Sequence, residues 1–187
     1  MGDADVVGDV GPCSIVDSET ILVDITNSSA EQSDFTITMN FFDAAGGRVG
    51  DEPFYVNNVQ PGQRAIEESY SFETENPDIA SCEVAEVERY ASSPSDETSD
   101  VSCEVTGLDF ADDIEIGLVV TNNGADTADY SINVAIIRDD VRIGTGFGTI
   151  DNVTPGQRAP GDGFTFVSGP VDGATCDVVN VSRSESE

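Results

Sequence analysis

Thirty-seven carboxylates, seven arginines, four cysteines and four tyrosines are all the side chains that could titrate or react as nucleophiles near neutral pH in this 187-residue sequence, hydroxyls aside. It contains no histidine, lysine or tryptophan. Histidine is the usual general base near neutral pH, and a serine nucleophile without histidine or lysine has no partner to take its proton. Paired carboxylates cleave glycosides. With 37 acids in one small chain, however, some pairs lie close together whatever the function, so their proximity selects nothing. Gly144-Thr-Gly-Phe-Gly148 resembles a phosphate-cradling loop only in glycine content, because no helix pattern follows it. It reads instead as a glycine-rich edge strand or bulge. The sequence therefore predicts no enzyme and no cofactor.

Three other constellations carry chemistry. Asp109, Asp112 and Asp113 cluster in a short insertion and, with the Asp139-Asp140 turn, are the candidates for a calcium site. No EF-hand spacing accompanies them, so a solvated acidic face is the competing reading. Asn27, Asn152 and Asn180 stand in Asn-x-Ser/Thr sequons. Asn27 and Asn180 are the better glycosylation candidates, since a proline follows the threonine of Asn152. Four cysteines allow three pairings, and the duplication described next selects Cys13 with Cys82 and Cys103 with Cys176.

The elements that position these groups come in two copies. Asn57-Asn-Val-Gln-Pro-Gly-Gln-Arg-Ala65 returns as Asp151-Asn-Val-Thr-Pro-Gly-Gln-Arg-Ala159, and Ile25-Thr-Asn27 as Val120-Thr-Asn122. Cys82-Glu-Val84 returns as Cys176-Asp-Val178. The offset is 95 residues before the mid-repeat turn and 94 after it. Each copy is long enough for its own core. The expected organisation is a first domain over residues 1–90, a polar linker over 91–100 and a second domain over 101–187. Ile21, Val23 and Ile25, then Phe35, Ile37, Met39 and Phe41, alternate with polar neighbours, and the second copy repeats the pattern. Period-2 alternation with Pro-Gly and Asn-rich turns between the runs marks half-buried antiparallel strands. The predicted fold is all-β, two tandem immunoglobulin-like antiparallel β-sandwich domains. Phe42 and Ile137 fall on the outward side of corresponding strands, with Phe54, Tyr55 and Phe147 nearby, and are the candidates for a contact surface.

In Pro61-Gly62 and Pro155-Gly156, proline fixes φ at the first central position of a turn and glycine supplies φ > 0 at the next, the signature of a type II turn. The identical Pro-Gly-Gln-Arg therefore reads as structural, with Arg64 and Arg158 paired to local carboxylates.

A net charge of −30 at pH 7 excludes nucleic acid, whose phosphates need cationic partners, and disfavours anionic membrane surfaces. No apolar run reaches 18 residues, so no segment reads as a membrane-spanning helix. The Debye length falls from about 10 Å in 0.1 M salt to about 3 Å in 1 M salt, so molar salt screens the self-repulsion. Acid-rich and lysine-free composition is the pattern of a protein adapted to high salt, because the lysine stem exposes apolar surface that concentrated salt penalises. An even cysteine count in small domains points to an oxidising, extracellular setting.

The Thr-Asn strand end, Phe41-Phe42-Asp43 before Gly46-Gly47, and Asn58-Val-Gln-Pro-Gly-Gln63 together resemble the FxLYD domain. This is a small β-sandwich module of bacterial and archaeal envelope proteins. The strand ends Cys82-Glu-Val-Ala-Glu-Val-Glu-Arg89 and Cys176-Asp-Val-Val-Asn-Val-Ser-Arg183 are similar to versions from salt-loving archaea. The second copy departs at Ile136-Ile137-Arg138, which replaces the aromatic pair and aspartate. The resemblance implies an extracellular module and supplies no activity. The expected function is a non-catalytic extracellular or cell-envelope structural or binding module. Its partner would be an unidentified protein or envelope component. A self-assembling surface or filament subunit is the alternative, and a secreted ligand carrier or hydrolase the remote one.

Overall fold

The computed structural model describes residues 9–16, 20–70, 79–92, 96–108, 114–167 and 170–186. It is all-β, with antiparallel pairing throughout the named strands. The chain divides into two compact units, Met1–Ser92 and Ser93–Glu187. Residues 96–100 of the expected linker form a 3-10 turn, Asp96–Asp100, which packs against the second unit's strands. Asn123 Nδ2 donates to Asp100 Oδ1 at 2.7 Å, so this stretch folds with the second domain.

The first domain comprises β1 (Ser14–Ile15), β2 (Thr20–Thr26), β3 (Ser33–Asp43), β4 (Arg48–Val59), β5 (Arg64–Tyr70) and β6 (Ile79–Ala91). One sheet runs β1-β2-β5 and the other β4-β3-β6. The period-2 pattern turns Ile21, Val23 and Ile25 of β2 toward Phe35, Ile37, Met39 and Phe41 of β3, all buried in one core with Phe54 and Val56. Phe54 meets Phe41 edge to face, ring centroids 6.4 Å apart. Its burial corrects the expectation that it joins an outward row: β4 pairs with β3 so that Phe54 lies opposite Ile37, on the inner face.

The second domain comprises β7 (Val101–Leu108), β8 (Ile114–Thr121), β9 (Ala128–Arg138), β10 (Val141–Val153), β11 (Arg158–Val167) and β12 (Thr175–Glu185). β7-β8 and β10-β9-β12 repeat the layout of the first copy, and Ile116, Leu118, Val120, Tyr130, Ile132 and Val134 fill the core. The residue lost between the copies comes from the mid-repeat turn. Arg138 pairs with Val141 across Asp139-Asp140, both at positive φ (52° and 63°), the geometry of a tight two-residue hairpin.

β11 is described beyond the end of its counterpart β5, since the first-domain residues that answer Thr165–Val167 lie outside the described residues. Arg158–Gly163 pairs with β8, then Phe164–Val167 pairs with β10. One strand thus joins both sheets. β10 is paired on both sides here, so it is not an edge strand, while the register shift between Arg142 and Gly144 is the bulge the glycine-rich stretch also predicted. Its glycines serve close approach: a Cβ on Gly144 would stand 2.1 Å from the Phe166 carbonyl oxygen, and one on Gly148 2.4 Å from Leu118 Cδ1. Across from them, a Cβ on Gly163 would meet Ile116 at 2.7 Å. The positions of Phe54 and Ser69 in the first copy are taken by Gly148 and Gly163 in the second.

Candidate functional site

The repeated polar residues are occupied by the backbone. Asn27 is buried, its Nδ2 donating to the carbonyls of Glu31 and Val59 at 2.8 Å each and its Oδ1 accepting from Ser29 N–H at 3.0 Å. Asn122, also buried, repeats this with Asp126 O (2.9 Å), Val153 O (2.7 Å) and Gly124 N–H (2.9 Å). The main chain of each asparagine also bonds the Pro-Gly turn: Gly62 N–H donates to Asn27 O and Gly156 N–H to Asn122 O, both at 2.8 Å. Gly62 and Gly156 have φ of 72° and 74°, as the type II turn requires. In each turn the glutamine side-chain oxygen accepts an N–H, from Gln60 at 3.1 Å and from Thr154 at 3.0 Å. The recurring Asn and Pro-Gly-Gln are therefore one corner, built twice. Asn27 has both amide hydrogens engaged in a buried site, so the folded domain does not offer it for glycosylation. Asn180 is half-buried on β12, and Asn152 is exposed.

A second repeated device sits at the bulges of β4 and β10. Asn58 and Asn152 adopt positive φ (59° and 57°), and their N–H groups donate at 2.7 Å to Asp34 and Asp129. The same carboxylate oxygens accept Ser92 Oγ–H at 2.5 Å and Ser186 Oγ–H at 2.6 Å. The Ser186 hydroxyl, then the Asn152 N–H, holds the Asp129 carboxyl below its usual pKa.

The arginines diverge. Arg64 grips Asp24 with two bonds, Nε to Oδ1 at 2.9 Å and Nη2 to Oδ2 at 2.7 Å, which raises its pKa further. The second domain has Val119 where the first has Asp24, so that pair is not repeated by Arg158. Arg89 meets Asp9 at 3.1 Å, while its counterpart Arg183 reaches Asp126 O at 3.0 Å.

The cysteines are bonded as the duplication selects, Cys13 to Cys82 and Cys103 to Cys176, with Cα separations of 6.1 and 6.0 Å. Each ties the start of a domain to its last strand. Two such bonds fit an oxidising environment. Asp109, Asp112 and Asp113 lie outside the described residues. Among the described residues no group of three acids or cysteines is placed to hold a metal, and no helix is long and apolar enough to cross a membrane.

The outer faces of β4-β3-β6 and β10-β9-β12 differ most. Phe42 and Ile137 occupy equivalent places there, each half-buried, opposite Ser81 and Thr175. In the first domain the face carries Asp51, Glu83, Glu86 and Glu88, paired with Asn40, Thr38 and Thr36 of β3. The matching residues in the second are Thr145, Asp177, Asn180 and Ser182. Three of the four carboxylates have become neutral. Pro53 is replaced by Phe147, which lies opposite Phe164 of β11 with ring centroids 5.8 Å apart, and Phe164 meets Phe166 at 5.6 Å. Phe164 and Phe166 are 54% and 63% exposed. Sequence reasoning reached Phe147 but missed these two. Their signal was the alternation Phe164-Thr165-Phe166, in which Thr165 turns inward and donates to Ile114 O at 2.8 Å.

No family model and no curated protein matches this chain.

Proposed function

We propose that this chain is a non-catalytic structural or binding module of an extracellular or cell-envelope protein, adapted to high salt. Each domain is read as an immunoglobulin-like sandwich, and the FxLYD-like residues support the envelope placement through resemblance alone. The observation that carries the reading is that the polar groups repeated in both copies hold backbone in place. Asn27 and Asn122, Gln63 and Gln157, and Asp34 and Asp129 all spend their hydrogen bonds on turns and bulges. What is built twice is a disulfide-closed scaffold, and scaffolds of this kind recruit partners through outer faces and end loops.

Two measurements test it. Alkylation of the natively produced, unreduced and unfolded protein is expected to label no thiol, and labelling of all four cysteines overturns the extracellular placement. A circular-dichroism melt is expected to rise steeply between 0.1 M and 3 M KCl, since the Debye length shrinks from about 10 Å to under about 3 Å. An unchanged melt removes the high-salt reading.

A further inference from the structure

We infer that the neutral aromatic face of the second domain, centred on Phe147, Phe164 and Phe166, docks onto the same face of a second copy of this chain. The inference rests on the binding-module reading above and names its partner. Two exposed phenylalanines stack edge to face on a chain of net charge −30, beside Thr145 and Asn133. An exposed apolar cluster in such a chain is a cost to solubility unless something covers it.

Charge decides the occupant. A cationic partner would be drawn to the face that keeps Asp51, Glu83, Glu86 and Glu88, which belongs to the first domain. The second domain has exchanged three of those four for Thr145, Asn180 and Ser182, which removes electrostatic attraction for a cation and repulsion toward another acidic surface together. A second copy brings an aromatic face equally poor in charge. Asp162 on β11 and Asp177 on β12 stand at its borders, at the solvated rim of such a contact. Molar salt screens what repulsion remains between the two acidic bodies and strengthens apolar burial. Because the face meets the same face of its partner, the contact is two-fold and closes at a dimer.

The test is sedimentation equilibrium of the intact, disulfide-bonded chain in 3 M KCl across a range of protein concentrations. A concentration-dependent dimer is expected. Phe164→Ser with Phe166→Ser should weaken it by at least about 30-fold, the size of a central aromatic anchor. Asn180→Glu with Ser182→Glu, which installs the first domain's residues without touching the core, should weaken it more at 1 M than at 3 M KCl. Tyr55→Ser, on the matching face of the first domain, should leave it unchanged.

A monomer at every concentration overturns the inference, as does a dimer indifferent to both double variants. Loss of the dimer through Tyr55→Ser, or growth beyond two chains, also overturns it. Should the serine variant lose its circular-dichroism spectrum, the glutamate variant decides alone. A free-thiol count or a salt-independent melt would strike the extracellular and high-salt readings while leaving this result standing.

Discussion

The two domains share corners, bulges and disulfides, yet fill their cores with different residues. In the first, β5 stays with β2 as far as Tyr70, and the aromatic ring of Phe54 fills the space beside Phe41. In the second, β11 leaves β8 at Gly163 and crosses to β10, over glycines that stand where Phe54 and Ser69 stand in the first. Where the first copy has the Phe54 ring, the second has Gly148, set against Leu118 and the β11 backbone. The copies therefore teach that hydrogen bonds fixing turns are less free to change than core volume, which can be supplied by ring or by backbone.

The sharpest way to break this comparison is Gly144→Val. Its Cβ would stand 2.1 Å from a backbone oxygen, an obstacle no side-chain rotation relieves. We expect the second domain to lose about 4 kcal/mol or more, at the upper end for single substitutions. Hydrogen exchange read by mass spectrometry should show fast exchange in β10 and β11, with the first domain unaffected. Next come the disulfides. Cys13→Ser with Cys82→Ser, and Cys103→Ser with Cys176→Ser, open loops spanning 69 and 73 residues. Each pair should cost its own domain about 4 kcal/mol in thermal unfolding, and a large inequality between them would show that β11 supports the second domain independently.

Asn27→Ala and Asn122→Ala should follow at about 2 kcal/mol each, since each substitution removes two bonds to backbone carbonyls, while Glu31 O keeps the Ser29 and Ser33 hydroxyls and Asp126 O keeps Arg183. Equal losses would sharpen the view that the corner is one device built twice. The smallest effect is expected at Asp129. Ser186 and Asn152 lower its folded-state pKa, so its stabilisation is complete above the ordinary carboxylate range and fades as pH falls through the folded value. Asp129→Asn should destabilise the protein modestly near neutral pH and converge with the parent in strong acid. A constant difference across that range would show that its bonds act sterically.

Much of this was legible in the sequence because alternation, turn residues and the duplication are local or self-comparing signals. Ile21-Val23-Ile25 announced an inward face, Pro61-Gly62 a turn, and the internal repeat chose among three disulfide pairings. The roles of Asn27 and Asn122 were not legible: their amides bond residues 31 and 32 away in sequence, and a sequon matched one of them by composition alone. The crossing of β11 was hidden as well. Glycine in a strand reads as weakness until the neighbour it admits is known, here the Phe166 backbone beside Gly144. Phe54 was placed outward because a single residue of register decides the face, and that register is set by pairing with β3 rather than by β4 itself.

The disulfides also set how the chain answers tension. Cys13 and Cys82 clamp the ends of one domain, Cys103 and Cys176 those of the other. Load applied at the chain termini passes through the sulfur bridges and bypasses both cores. Between Cys82 and Cys103 lie 20 residues, which at about 3.5 Å each allow an extension of about 70 Å at most before the covalent bridges bear the load. Pulled hard, the molecule would behave as a short tether with two knots that do not untie.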